Sequence, residues 1–163
     1  MATKISIKAY ANSDDVFVAW APSEFISRCR GFLLERARAT ATGNIVEPVE
    51  NRVGFKKDNP KSGDHRPSSE WPFQRLNWPD HAVDVGNKVR YRVTAMIDEG
   101  TGRPYTPGVS SKWTPWIKLT ANVGDGFSCY FNRGLALSQF VARYMQEHKL
   151  TSAKFKAQLK SNA

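Results

Sequence analysis

The chain has 163 residues, of which 40% are hydrophobic, and carries a formal net charge of +9 at neutral pH. This length supports one hydrophobic core of ordinary domain size. No segment approaches the roughly 18 apolar residues of a membrane span, and the first residues lack the apolar block of a signal peptide. The composition therefore predicts a cytoplasmic protein with no membrane span, in which Cys29 and Cys129 are free; their pairing is the alternative.

Two short strands are predicted at the start of the chain. Ile5 and Ile7 alternate with polar residues between positions 4 and 10, which is the two-residue period of a strand with one buried face. Two aspartates at positions 14 and 15 then favour a turn into a second strand over 16–20. The chain is therefore expected to open as a hairpin-like pair.

A third strand is predicted from residue 29 to residue 39. Gly31 is unfavourable inside a helix, and Phe32 and Leu34 fall on one face of a strand. The alternative is a helix over 25–41, because the Leu, Glu, Ala and Arg residues of this segment favour helices. A further short strand is expected over 45–55.

An irregular segment rich in Pro, Ser, Asn, Asp and Lys follows from residue 56 to residue 80. Irregular segments of this length are uncommon inside a compact domain and are usually functional or disordered. Trp71, Phe73 and Trp78 argue against disorder, because disordered linkers contain few aromatic residues. We expect these aromatics to cover an open end of the fold; the alternative is that they form a loop surface for a ligand or partner.

The segment 83–120 is predicted to hold two neighbouring antiparallel strands around which the rest of the chain packs. In the first strand, apolar residues alternate with Lys, Arg and Thr. The apolar residues, which are expected to face the core, are Val89, Tyr91, Val93 and Ala95. In the second strand, over 112–119, Pro115 cannot donate a hydrogen bond to a ladder, so an edge strand or a bulged strand is expected.

The C-terminal part of the sequence favours helices. Apolar side chains recur there at three- and four-residue steps, which predicts an amphipathic helix over 134–148. These side chains are Leu137, Phe140, Val141, Tyr144 and Met145. We expect them to pack on the rest of the chain, on a partner domain or on a second copy. Thr151 and Ser152 are suited to cap a short basic helix over 153–160.

The strand pattern resembles that of a fibronectin type III domain. The segment 83–120 has the turn glycine of that family, Gly86, then an alternating strand that ends near Ala95, a loop and a closing strand. Upstream, Trp20 and Pro22 lie where the family has its second strand. The resemblance covers roughly the first three quarters of the chain. It implies an all-β, fibronectin type III or immunoglobulin-like sandwich over 1–121, and a C-terminal α-helical extension or linker over 122–163.

Trp113 and Trp116, in the segment SKWTPW, are similar to the tryptophan repeat near the closing strand of cytokine-receptor fibronectin domains. In those domains, arginines of the adjacent strand slot between the indole rings. Arg90 and Arg92 lie on one face of the neighbouring predicted strand, on the order of 7 Å apart along it. The resemblance implies an arginine–tryptophan ladder. Ile117 replaces the serine that follows the second tryptophan in that family, and one indole turned into the core is the alternative.

A more specific resemblance joins the fibronectin-like start, the phrase GFSCYFNRGLALSQFVARYM and the basic helical end. This combination is similar to the N-terminal region of certain bacterial phospholipase D-like proteins, in which it precedes the catalytic domain. The catalytic His-x-Lys motif of that family is absent, because His65, His81 and His148 all lack a lysine two positions later. The resemblance implies a non-catalytic accessory domain that positions substrate or partners for a phospholipase D-like phosphodiesterase.

The sequence contains no motif for a cofactor, a metal ion or a reaction of its own, such as a glycine-rich phosphate loop or a nucleophile elbow. Its positive charge predicts attraction to phosphate-bearing partners. The candidate basic surface comprises Arg90, Arg92, Lys149, Lys154, Lys156 and Lys160. A solvated basic face without a partner is one alternative; a free-standing binding module for nucleic acid and contact with an anionic membrane surface are the others.

Overall fold

The computed structural model describes residues 3–128, 141 and 144–161. The strands are β1 (Ile5–Ala11), β2 (Val16–Pro22), β3 (Cys29–Thr40), β4 (Gly43–Pro48), β5 (Glu50–Asn51), β6 (Arg66–Pro67), β7 (Asn77–Asp80), β8 (Lys88–Ile97), β9 (Thr106–Ser110), β10 (Ile117–Lys118), β11 (Asn122–Gly124) and β12 (Phe127–Ser128). A 3-10 helix spans Lys56–Asp58, and an α-helix, α1, spans Ser152–Ser161.

Two antiparallel sheets enclose the hydrophobic core. One has the strand order β1-β2-β7, and the other has the order β10-β8-β3-β4, with β9 also paired to β8. Alternate residues of β2 and β8 point inward from the two sheets, as the two-residue period requires. The core residues from these two strands are Val16, Val18, Trp20, Val89, Tyr91, Val93 and Ala95. The all-β sandwich with a C-terminal helix expected from the sequence is confirmed.

The third predicted element is a strand and not a helix. β3 pairs with β8 on one side and with β4 on the other. Gly31, at φ +139°, lies so close to the neighbouring backbone that a Cβ there would be 2.7 Å from the carbonyl oxygen of Phe73. The strand predicted over 45–55 is divided in the structure: β4 ends at Pro48, and β5 pairs separately with β6.

The closing part of the sandwich differs from the prediction of one strand over 112–119. Only Ile117–Lys118 pair with β8 at that end, opposite Val89 and Lys88. Further along, β9 pairs with β8 instead, from Thr106 to Ser110. Between β9 and β10, Ser111 and Thr114 contact β8 through their side-chain hydroxyl oxygens.

Trp71 and Phe73 lie inside the fold, so they do not form the loop surface that was the alternative to covering an open end. Their side chains are only 2% and 1% exposed. Phe73 forms a β-bridge with Phe32 and packs against Trp78, whose ring centroid lies 4.4 Å away. These aromatics are buried because backbone pairing draws the segment onto the sandwich, and Trp78 remains half-buried beside them.

The burial of Trp71 is secured by its immediate surroundings. The side-chain amide of Asn51 donates a hydrogen bond to the Trp71 carbonyl at 2.9 Å. Gly54 lies against the indole, so that a Cβ at this position would be 2.6 Å from the ring. The segment between β5 and β7 therefore folds around its own tryptophan.

The chain divides into two compact units, Met1–Tyr130 and Phe131–Ala163. The sequence placed the boundary after residue 121, but the small sheet of β11 and β12 belongs to the first unit. In the second unit residues 144–147 are helical, and the Tyr144 ring centroid lies 6.0 Å from that of Phe155 in α1. Leu137 and Phe140, from the predicted apolar stripe, lie outside the described residues. Among the helical segments described, none has the length and apolarity to cross a membrane.

Candidate functional site

The outer face of β8 carries an alternating stack of cationic and indole side chains. The guanidinium carbon of Arg90 lies 4.9 Å from the ring centroid of Trp113 and 4.6 Å from that of Trp116. Arg92 lies 4.7 Å from Trp113, and the Lys88 ammonium lies 5.9 Å from Trp116. The structure thus brings together the four residues singled out in the sequence and adds Lys88. We call these five residues the ladder.

The ladder forms because hydroxyl groups hold the tryptophan segment against β8. The backbone N–H of Val93 donates to Ser111 Oγ at 3.0 Å, and the Ser111 N–H donates back to the Val93 carbonyl at 2.8 Å. Thr114 repeats this arrangement with Tyr91, at 3.0 and 2.8 Å. The side-chain oxygens take the place of the carbonyls that a normal strand would offer, which explains why no regular strand forms from 111 to 116.

The contacts of this segment repeat every three residues, which is the period of a polyproline II helix. Ser111 and Thr114 are buried against β8, whereas Trp113 and Trp116 are half-buried and stack on the arginines. Both indoles therefore lie on the outer face of the sheet, and neither turns into the core. Pro115 is exposed between them. Its missing N–H costs no hydrogen bond there, because this position does not pair with β8.

The two ends of the ladder differ in charge. Arg92 donates from Nε and Nη2 to the Glu35 carboxylate at 2.8 and 3.0 Å, and this hydrogen bonding raises the pKa of Arg92. Arg90 and Lys88, in contrast, have no carboxylate within ion-pairing distance among the described residues. The Arg90 Nε is buried and has no hydrogen-bond partner in the described part of the chain.

Lys118 adds a further positive charge beside these two residues. It is the direct cross-strand partner of Lys88, and both lysines are exposed. Like charges directly opposite each other in an antiparallel pair are destabilising. We call Lys88, Arg90 and Lys118 the basic end of the ladder. Its uncompensated charge is the arrangement that an anion would stabilise.

Inside the sandwich, by contrast, positive charge is neutralised. Arg36 Nη1 donates to both carboxylate oxygens of Asp80, at 2.8 and 2.6 Å, and Nη2 donates to Glu47 at 2.7 Å. The Tyr91 hydroxyl also donates to Asp80, at 2.9 Å. Burial acts to lower the pKa of Arg36, but Asp80 and Glu47 together raise it. Burial, with Asp80, also raises the pKa of Tyr91.

This buried network was not predicted from the sequence. A signal was present, because Arg36 occupies the same face of β3 as Phe32 and Leu34, where an apolar residue would be expected. Its acidic partner Asp80 lies far away in sequence, at the end of β7, so no local pattern joins the two. The network supports the inner face of the sheet that carries the ladder.

The other predicted basic residues lie in the second unit. Lys149, Lys154 and Lys156 are exposed, and the Lys160 side chain lies outside the described residues. They do not belong to the ladder, which is confined to the first unit.

Within the described residues, no group of three or more His, Cys, Asp or Glu side chains is arranged to hold a metal ion. No protein-family model matches this chain, and no curated protein matches it at a significant level.

Proposed function

We propose that this chain is a non-catalytic binding domain that holds phosphate groups at the basic end of the ladder. The observation that carries this proposal is the environment of Arg90, whose guanidinium is fixed between two indoles with no carboxylate among the described residues to neutralise it. A guanidinium presents its donors in a rigid fork that suits phosphate oxygens. Because the indoles already restrict this side chain, little further ordering is needed when an anion binds.

The two lysines extend this site. A phosphate near Lys88 and Lys118 would offset the repulsion between their opposed ammonium groups. Lysine ammonium groups are mobile point charges, so they can follow phosphates in more than one position. The basic end is therefore suited to a chain of phosphates more than to one small molecule enclosed in a pocket.

The stacking geometry also limits what is recognised. The guanidinium of Arg90 occupies the space between Trp113 and Trp116, so these facing ring surfaces are not open to nucleobases. Single-strand binding proteins that stack bases on aromatic rings need such surfaces free. We therefore expect binding to the phosphate backbone, weak sequence preference and a steep loss of affinity as salt rises.

In the cell, the proposed role is to position a phosphate-bearing substrate or partner for a phospholipase D-like phosphodiesterase in the cytoplasm. The support for this part is the sequence resemblance described above. A free-standing nucleic-acid-binding module is the second candidate, and the same basic end supports it. A His-x-Lys motif encoded downstream of residue 163 in the same gene would favour the first role over the second.

Binding can be tested by titrating the full chain with a fluorescent single-stranded oligonucleotide and with inorganic polyphosphate at several salt concentrations. Replacing Lys88 and Lys118 by Glu should weaken binding. The slope of the logarithm of affinity against the logarithm of salt concentration should become shallower by about one for each phosphate that is no longer neutralised. The matched control replaces Lys4 and Lys8, exposed lysines at β1, by Glu. Equal weakening in both double variants, or no binding at low salt, would show that the basic end is not a specific site.

A further inference from the structure

The edges of the two large sheets are protected unequally. Exposed edge strands are usually protected by charged side chains, above all lysine, by proline or by being very short, because their free backbone groups pair with other chains. β1 has Lys8 at its centre, β7 contains Pro79, β9 contains Pro107, and β10 has only 2 residues. β4 has 6 residues and no lysine; its one charged residue, Glu47, is paired with Arg36 of its own sheet, and its proline is its last residue. Its central side chains, Ile45 and Val46, are 54% and 51% exposed.

The register shows which backbone groups of β4 face the free edge. Val49 donates its N–H to the Leu34 carbonyl at 2.8 Å. In the same register, Ile45 lies opposite Arg38. Hydrogen-bonded and non-bonded residues alternate along an antiparallel pair. The backbone of Ile45 therefore hydrogen-bonds to β3, whereas the N–H and C=O groups of Asn44 and Val46 point away from the sheet.

We propose that β4 pairs with β4 of a second copy of this chain, in antiparallel orientation, so that the two five-stranded sheets become one continuous sheet. Ile45 would lie opposite its own counterpart, and Asn44 opposite Val46 of the other copy. This register uses the outward N–H and C=O groups of Asn44 and Val46 in both copies. It also partly covers two exposed β-branched side chains in each copy.

The strand is suited to a second copy of itself because no like charges oppose each other in this register. The one charged residue of β4, Glu47, would lie opposite Gly43. The neighbouring register, with Val46 opposite itself, would place Pro48 against Asn44, and Pro48 has no N–H to donate. A second copy of β4 can therefore serve as the partner strand at this edge, and a strand of an unrelated protein is not required.

The net charge of the chain determines how the proposed pairing depends on salt. Two copies that each carry +9 repel, so screening by salt should strengthen the dimer. Phosphate binding at the ladder should instead weaken with salt. Failure of one interaction can therefore be distinguished from failure of the other, and the pairing does not depend on the proposed function.

Disulfide trapping in the full chain tests the register. In a background with Cys29 and Cys129 replaced by Ser, Ile45→Cys places a thiol opposite its own counterpart, at a Cα separation of about 4.5 Å that a disulfide can span. Mild oxidation should crosslink Ile45→Cys severalfold faster than Asn44→Cys, which lies opposite Val46. Equal rates, or faster crosslinking of Val46→Cys, would overturn the proposed pairing.

Sedimentation of the unmodified chain supplies an independent measurement. The sedimentation coefficient should rise with protein concentration, and rise further at high salt. Val46→Lys should abolish this increase while the far-ultraviolet circular dichroism spectrum stays unchanged. Val53→Lys, at another exposed valine outside β4, is the matched control and should retain it. A monomer under all conditions, or a dimer unaffected by Val46→Lys, would exclude the proposal.

Discussion

The ladder should make a measurable contribution to the stability of the sandwich. Arg90 contacts both indoles, and each cation–π contact at an exposed site is worth about 0.5–1 kcal/mol. Replacing Arg90 by Met keeps an apolar stem and removes the guanidinium group that stacks on the indoles. The free energy of unfolding should therefore fall by about 1–2 kcal/mol. Lys88→Met should cost less, since the ammonium is exposed and lies 5.9 Å from a single ring.

The assay is urea denaturation followed by circular dichroism, which does not rely on the fluorescence of the altered tryptophans. A double-mutant cycle that combines Arg90→Met with Trp116→Leu isolates the pairwise interaction from the separate effect of truncating each side chain. We expect a coupling energy of about 0.5–1 kcal/mol. Additive effects of the two substitutions, or an Arg90→Met variant as stable as the parent, would refute the view that stacking holds this segment to β8.

Three further outcomes are expected for the rest of the sandwich. Asp80→Asn leaves Arg36 buried with only Glu47 for compensation, so denaturation should show a loss near the lower end of the roughly 3–5 kcal/mol typical of a broken buried pair. The hydrogen bond from Arg36 holds the pKa of Glu47 below its ordinary value of 4.5, so this carboxylate stabilises the fold above that pH and the contribution is lost as pH falls through the folded pKa. Glu47→Gln should accordingly flatten the acid side of a stability–pH curve. Gly54→Ala forces a methyl group against Trp71 and should lower the melting temperature, at a cost of about 1–3 kcal/mol.

The regular strands could be predicted because their signal is local. The alternation around Tyr91 follows directly from one buried face and one exposed face, and the structure has β8 where the pattern placed it. The division of the closing strand could not be predicted in this way. Ser111 and Thr114 replace backbone acceptors with side-chain oxygens, and a search for two-residue periodicity does not detect such bonds.

The positions of the loop aromatics depended on contacts that are distant in sequence. Trp71 and Phe73 sit in a polar, proline-rich stretch, which left open whether they cover the fold or form a loop surface. Their burial follows from the bridge to Phe32 and the contact with Gly54, and neither is visible in the local composition. For the ladder, the indole spacing and the face of the two arginines were evident in the sequence. The environment of Arg90, with no acid beside it among the described residues, required the structure.

The three-residue repeat between Ser111 and Trp116 separates tasks that a regular strand would combine. One row of side chains anchors the segment, a second stacks, and the third, at Lys112 and Pro115, is exposed and does neither. Substitutions in that third row can alter the chemistry next to the ladder without disturbing the anchors. Related chains could therefore diverge in ligand preference at these two positions while the architecture beneath them stays constant.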